Sequence, residues 1–587
     1  MMRFPLLLAA LLPLLTTGPA FAEEIVAPLP PQAALRRPFA LALAPENRLW
    51  IANQRSGTLQ LVDPAAEKLL AEWKIGEELA DLAALPDGRL ALVDTANHEL
   101  LLVEPPAQAE QWEQAKLTIT RVPVARYPVG LAVGPEGRYL AVASLWSQRV
   151  TILDAATGRV EHTLEMPFAV RKLLALEGPA RLIAADAFAG RLAVIDPAAG
   201  EIERLREFPG HNIRGLSLSA DGSMLIVAHQ MLNDLANTTR NDVHWGLVMS
   251  NDLRWLRLAA ITSEEGDLYR GAYMQPLGEA NNGGGDPAGI AVTREGIVVA
   301  SLGAANEVML ARDNRSGNIR LDVEARPTAV LISADQRFAF VAETFNDSLA
   351  VIDLEKYTVS KRFELGPRGK LTAIDRGEQL FYAGRLAHDR WMSCHSCHTD
   401  GHANGGSSDN LSDGTFGAPK RVLSLLGVKD TLPLAWNGET KTLAEQVRNS
   451  IVKTMQAPEP PTEQETADLV AYLETFEPPP SLAAARQRPE SELVLRGAAH
   501  FEELGCARCH KPPSYTTPRT YDVGLEDKLG NRRFNPPSLL GVSQRGPLFH
   551  DGAVPDVETL LREGSHQLRE PLAPEVQAEL RAFLESL

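Results

Sequence analysis

Cysteine is scarce in this chain: 4 residues in 587, all of them in two short segments, Cys394-His395-Ser396-Cys397-His398 and Cys506-Ala507-Arg508-Cys509-His510. No cysteine is left over for a structural disulfide. Methionine is absent after Met455, so the last part of the chain has no thioether to offer a metal. Basic residues are outnumbered, 58 Lys and Arg against 75 Asp and Glu, and the net charge of -17 argues against nucleic acid or an anionic membrane surface as a partner. Beyond the N-terminus no apolar run approaches the roughly 20 residues of a transmembrane helix. Before residue 371 there is no dense group of His, Asp and Glu of the kind that marks a metal enzyme.

The two segments share the pattern Cys-x-x-Cys-His, the attachment site of c-type haem. Two thiols at this spacing reach the two vinyl groups of one porphyrin, and the adjacent imidazole offers a nitrogen to the iron. Cys394, Cys397, Cys506 and Cys509 are therefore expected to carry two covalent haems, with His398 and His510 as iron ligands. One zinc ion held by the four thiols is the competing reading, and it leaves both histidines unexplained. The N-terminus agrees with the haem reading. Met1-Met2-Arg3, an apolar run from Phe4 to Leu15 and then Ala20-Phe21-Ala22 form the pattern of a secretory signal cleaved after Ala22. An exported, periplasmic protein is expected, and c-type haem is attached outside the cytoplasm.

Residues 23–370 repeat. Seven units begin at Arg37, Glu78, Tyr127, Ala169, Asn212, Asp286 and Arg326. Each reads as a short apolar strand, a polar turn, a second strand, a small-polar turn and a third strand that often ends in Asp. The period of about 40–50 residues is that of a four-stranded propeller blade, which predicts a seven-bladed β-propeller. One interval, from His229 to Asp286, is longer and contains Asn281-Asn282-Gly283-Gly284-Gly285. Long insertions on a rigid scaffold are either binding loops or passive excursions, and His229, His244 and Trp245 are the residues there that would line a site. From residue 371 the alternation gives way to helical patterning in two similar halves, 371–480 and 481–587. Each has an Arg-Gly expected to open a helix (Arg376-Gly377 and Arg496-Gly497), a haem motif, and a closing helix (463–476 and 574–587) with apolar residues at three-to-four spacing. The expected fold is multidomain: an all-β propeller, then a mainly α module of two cytochrome c lobes.

The C-terminal region resembles the di-haem cytochrome c peroxidase and MauG superfamily. The residues that carry the resemblance are the two haem motifs, Trp436-Asn437-Gly438, Leu443-Ala444-Glu445-Gln446, Asn535-Pro536-Pro537-Ser538-Leu539 and Phe549-His550-Asp551-Gly552. The propeller resembles the YVTN-type and lactonase-like propellers, a likeness of fold and not of activity. The family resemblance implies an oxidoreductase in which the His398 haem reacts with hydrogen peroxide or another small oxidant. The His510 haem would accept electrons from a small donor protein, a cytochrome c or a cupredoxin, and Trp436 would bridge the two. It implies site roles for Gln446 and for Gln456, which occupies the position of the family's distal Glu and cannot accept a proton as a general base does. Glu439 and Glu445 are the substitutes. His402, four residues past His398, is expected in a structural or propionate role. The family's Met ligand to the second haem has no counterpart, and His566 is expected in its place, ahead of His550 and Tyr521. No calcium motif is readable. Three other readings stand beside the peroxidase one: MauG-like oxidation of a protein or organic substrate docked at the propeller, an electron carrier whose propeller docks a partner, and a propeller that is itself the enzyme.

Overall fold

The computed structural model describes residues 21–25, 32–106, 115–178, 180–264, 266–312, 317–411, 414–563, 566–568 and 571–587. The expected signal segment lies outside the described residues up to position 20. Phe21–Ile25 form a strand paired with Leu117–Pro123, so cleavage after Ala22 would remove its first two residues.

Seven antiparallel sheets cover residues 38–74, 79–123, 128–165, 170–207, 211–276, 287–322 and 327–364. Each has four strands in sequence order, and Phe21–Ile25 add a fifth to the second. The first strands of successive sheets pack side by side, and Pro38–Leu43 of the first packs on Pro327–Ile332 of the last. The ring is closed, and the architecture is the seven-bladed propeller that the repeat predicts. The recurrent Asp at the end of the third strand has a local cause. Asp63, Asp154, Asp196 and Asp353 each accept backbone N–H groups two or three residues onward, which sets the turn into the outer strand. Closure between first and last blades is polar. Fully buried Arg36 bonds Glu72 through Nε and Nη2 (3.0 and 2.9 Å) and the Pro367 carbonyl through Nη1 (2.7 Å), while Asp347 accepts the N–H groups of Arg36 and Arg37.

The long interval in the fifth blade is a clamp. Its second and third strands run to nine residues, and the short helix Arg240–His244 sits between them. The clamp closes on Trp391, just ahead of the first haem motif. Trp391 Nε1 donates to the His244 carbonyl (3.1 Å), and Asn251 Nδ2 donates to the Trp391 carbonyl (2.9 Å). A Cβ at Gly246 or Gly283 would stand 2.4 or 2.5 Å from Trp391 atoms, so the insertion's glycines are what permit this contact. The three candidate residues there separate. His229 is fully buried inside the blade, where its Nε2 accepts from Arg254 (3.2 Å). Trp245 is 59% exposed, and His244 faces the helical region.

In the helical region Ala373–Phe381 packs on Glu463–Leu473, and Glu492–Glu503 on Pro574–Ser586. The two crossings repeat each other. Arg376 grips Asp468 with Nε and Nη2 (2.7 and 2.8 Å), and Arg496 Nε grips Glu579 (2.5 Å). A Cβ at Gly377 would lie 2.0 Å from the Asp468 carbonyl oxygen, and one at Gly497 2.0 Å from that of Glu579. Each Arg-Gly therefore lies inside its helix, at the crossing, and not at the opening as expected. Thr372 opens the first helix instead, in a capping box with Asp375. Gly377→Ala should destabilise the first lobe by about 1–3 kcal/mol, because backbone oxygen cannot yield as a side chain does. Thermal melting followed through haem absorbance checks this, and Gly497→Ala should disturb the second haem's share of the spectrum instead.

Candidate haem sites

Cys394–Cys397 form one helical turn, with Ser393 and Ser396 in a capping box. The turn directs Cys394, Cys397 and His398 into a cavity of about 460 Å³. His398 Nδ1 donates to the Leu423 carbonyl (2.9 Å), which fixes the ring and leaves Nε2 for a metal. Burial pushes the His398 imidazole down to about 4, so the ring is neutral, as a ligand must be. Two thiols, an available imidazole nitrogen and an adjoining cavity fit a c-type haem. Trp436, Gln446, Met455, Glu439 and Glu445 also line the cavity. Gln446 donates to Ser450 Oγ (3.2 Å), and a π-helical turn, Ser450–Thr454, leads to buried Met455. Such turns recur at functional sites. Gln456 is not among the lining residues. Held at φ 53, it donates from Nε2 to the carbonyls of Thr238 (2.8 Å) and Lys453 (2.7 Å), so its amide joins the first lobe to the propeller clamp.

The propeller forms the floor of this site. The motif sits over an axial cavity of about 250 Å³ that His395 and Tyr382 help to line. Asp286 accepts from Ser393 Oγ and Ser396 Oγ (both 2.5 Å), and His211 Nε2 donates to the Ser396 carbonyl (2.9 Å). Asp400, two residues past His398, pairs with Arg171 and with Arg214 (2.5 Å). Burial alone would raise the Asp400 carboxyl, but the two guanidiniums hold it well below the usual range. His402 is structural. Its Nε2 donates to the Gln544 carbonyl (2.8 Å), and its ring meets Phe188 and Trp146 of the propeller edge-on (4.7 and 5.5 Å between centroids).

The second site is built differently. Cys506–Arg508 form a 3₁₀ turn, and buried His510 donates from Nδ1 to the Tyr515 carbonyl (3.2 Å). His566 stands opposite, with ring centroids 6.2 Å apart and planes at 58°. Two imidazoles on opposite sides of one metal ion, at the usual ~2.0 Å metal–nitrogen distance, have ring centres roughly 6 Å apart. Burial pushes His510 down to about 4 and lowers His566, so both rings are neutral. Met455 stays in the first lobe, and Tyr521 bonds Thr517 (3.0 Å).

A run of rings joins the two sites. Trp436 is buried, donates from Nε1 to the Arg421 carbonyl (2.8 Å) and meets His550 edge-on at 6.4 Å. Its own carbonyl accepts from Asn535 N–H of the second lobe (2.6 Å). Phe549, at φ 68, turns its ring the other way, to 5.3 Å from His566. His550 and Phe549 are consecutive, so Trp436, His550, Phe549 and His566 form one aromatic path from the first cavity to the second site. Sequence reasoning missed Asp286, Arg171 and Arg214. Each lies in a propeller repeat with no motif around it, and only closure of the ring brings them under Ser393, Ser396 and Asp400.

Fold and sites together define a di-haem oxidoreductase module mounted on a propeller. Residues 372–485 match the family model described as di-haem cytochrome c peroxidase. The methylamine utilization protein MauG of Methylophilus methylotrophus is 25% identical over 270 residues, 36% of this chain and 81% of that protein. The cytochrome c551 peroxidase of Nitrosomonas europaea is 25% identical over 269 residues, 36% of this chain and 78% of that protein. Among solved structures, Kuenenia stuttgartiensis hydrazine synthase aligns with a TM-score of 0.48 at 20% identity, covering 55% of this chain and 97% of that one.

Proposed function

We propose that the protein is an exported enzyme that reduces hydrogen peroxide at the His398 site with electrons admitted at the His510 site. One observation carries this reading, the inequality of the two sites. His398 lines a cavity that holds no second histidine among the described residues, whereas His510 has His566 across from it. Bound haem iron would supply the electron exchange with peroxide. Cys394, Cys397, Cys506 and Cys509 would tether the two groups by thioethers, His398 and His510 would each hold an iron, and His566 would be a further ligand at the second. Glu439 and Glu445 line the cavity with exposed carboxylates that can take a proton from entering peroxide. Gln446 offers an amide to orient it. Trp436, His550 and Phe549 provide the path between the sites, and a cytochrome c or cupredoxin is the donor. Export rests on the Met1–Ala22 pattern and on the haem motifs, and no helix among the described residues is long and apolar enough to cross a membrane.

Stopped-flow spectra of the half-reduced protein mixed with hydrogen peroxide and an artificial donor test the proposal. A high-spin component that responds to peroxide within the mixing time, followed by turnover, is the expected result. Two six-coordinate low-spin haems in every redox state would leave the carrier reading. That second reading has one observation in its favour: buried Met455 lines the first cavity, and its thioether is a haem ligand type.

A further inference from the structure

One cluster of potential metal ligands lies outside both haem sites. His244 ends the short helix of the propeller clamp, and His388 and Asp389 precede the first haem motif. His244 Nδ1 is 2.7 Å from Asp389 Oδ2, and His388 Nε2 is 3.5 Å from the same oxygen. One ligand atom from each residue lies within 4.8 Å of the other two. Among the described residues no Lys or Arg pairs with Asp389, since neighbouring Arg390 is engaged by Glu307 and Asn282 (both 2.8 Å). His388 is 8% exposed, and its Nδ1 has no hydrogen-bond partner.

The loop is held in place for this convergence. Asp389 and Arg390 adopt φ of 52° and 60°, a region that non-glycine residues rarely occupy. Backbone bonds keep them there: the Asp389 carbonyl accepts from Gly283 N–H (2.6 Å) and the Arg390 carbonyl from Gly285 N–H (3.2 Å).

We propose that His244, His388 and Asp389 bind one divalent transition-metal ion, with Zn²⁺ the best fit, at the seam between the propeller clamp and the first haem-binding loop. Two imidazoles and one carboxylate are a zinc donor set, whereas Ca²⁺ and Mg²⁺ take oxygen ligands. Tetrahedral donors at ~2.0–2.1 Å stand roughly 3.3 Å from one another. The 3.5 Å separation already suits this, and the His244–Asp389 hydrogen bond has to open by about 0.6 Å. The His244 side chain is 26% exposed, which leaves the fourth position to water. The ion sets positive charge against the half-buried carboxylate, and it ties the propeller to the segment that carries Cys394.

The test uses the full-length holoprotein, stripped with a chelator, dialysed against micromolar ZnCl₂ and analysed for zinc and iron. About one zinc per two iron atoms should be retained in the presence of millimolar Ca²⁺ and Mg²⁺, and zinc should raise the melting temperature. His244→Ala and the near-isosteric Asp389→Asn should each weaken zinc binding at least about tenfold, with iron content and haem spectra unchanged. Equal zinc in the wild type and both variants, no zinc in any of them, or displacement of zinc by Ca²⁺ would each overturn the proposal.

Discussion

A His566→Ala variant is expected to keep two irons per chain and to change the spectrum of only one of them. Cys506, Cys509 and His510 remain to hold the second haem, so attachment survives. Its far face loses the imidazole whose ring lies 6.2 Å from that of His510. At neutral pH the six-coordinate low-spin signal of that haem should give way to a high-spin one, while the first haem's signal stays as it was. His566→Met should restore six-coordination and raise the midpoint potential, because a thioether favours the reduced iron relative to an imidazole. The aromatic path also ends at His566, so donor-driven turnover should fall in the Ala variant even with both haems present. Optical spectra and a redox titration of the two variants suffice. Unchanged spectra in both would place the ligand elsewhere.

Asp400→Asn should cost up to about 3 kcal/mol, since the carboxylate, itself 23% exposed, leaves two mostly buried guanidiniums uncompensated when it is neutralised. Arg171 and Arg214, with side chains only 11% and 10% exposed, both point at this carboxylate. The pair of exposed Asp87 with Arg89 provides the contrast: Asp87→Asn should cost no more than about 1 kcal/mol. The pH dependence has a definite sign. The Asp400 pKa is depressed in the folded state, so its contribution is present above the unfolded value of about 4 and is lost as pH falls through the lower folded value. Thermal melting between pH 7 and pH 3, followed through haem absorbance, should show the wild type losing stability below about pH 4. The Asn variant should show less of that loss. A variant as stable as the wild type at pH 7 would sink the idea that this network locks the lobe to the propeller.

The blades were legible because each one is local. A strand, a turn and the Asp that caps it lie within one repeat, so Asp63, Asp154, Asp196 and Asp353 announce their turns to a reader of the chain. The haem motifs are equally local, since the spacing of Cys394, Cys397 and His398 within one helical turn sets their chemistry. Gln456 shows where position in a motif misleads. It follows the family's order along the chain, yet its left-handed backbone turns the amide to Thr238 of the propeller. Arg376-Gly377 misled in a milder way, because a glycine required by a helix crossing looks the same in sequence as one that starts a helix.

The sequence by itself determined the propeller, its seven repeats, the two haem motifs and the residues available to serve them, because each depends on neighbours within a few dozen positions. Tertiary structure alone decided that the fifth-blade insertion closes on Trp391, that Asp400 meets two arginines from different blades, and that His244 meets Asp389. These contacts join residues more than a hundred positions apart. Such groups leave no shared periodicity or spacing in the chain. Their partners are chosen by ring closure and by the burial of charges and aromatic surface where the propeller and the first lobe meet.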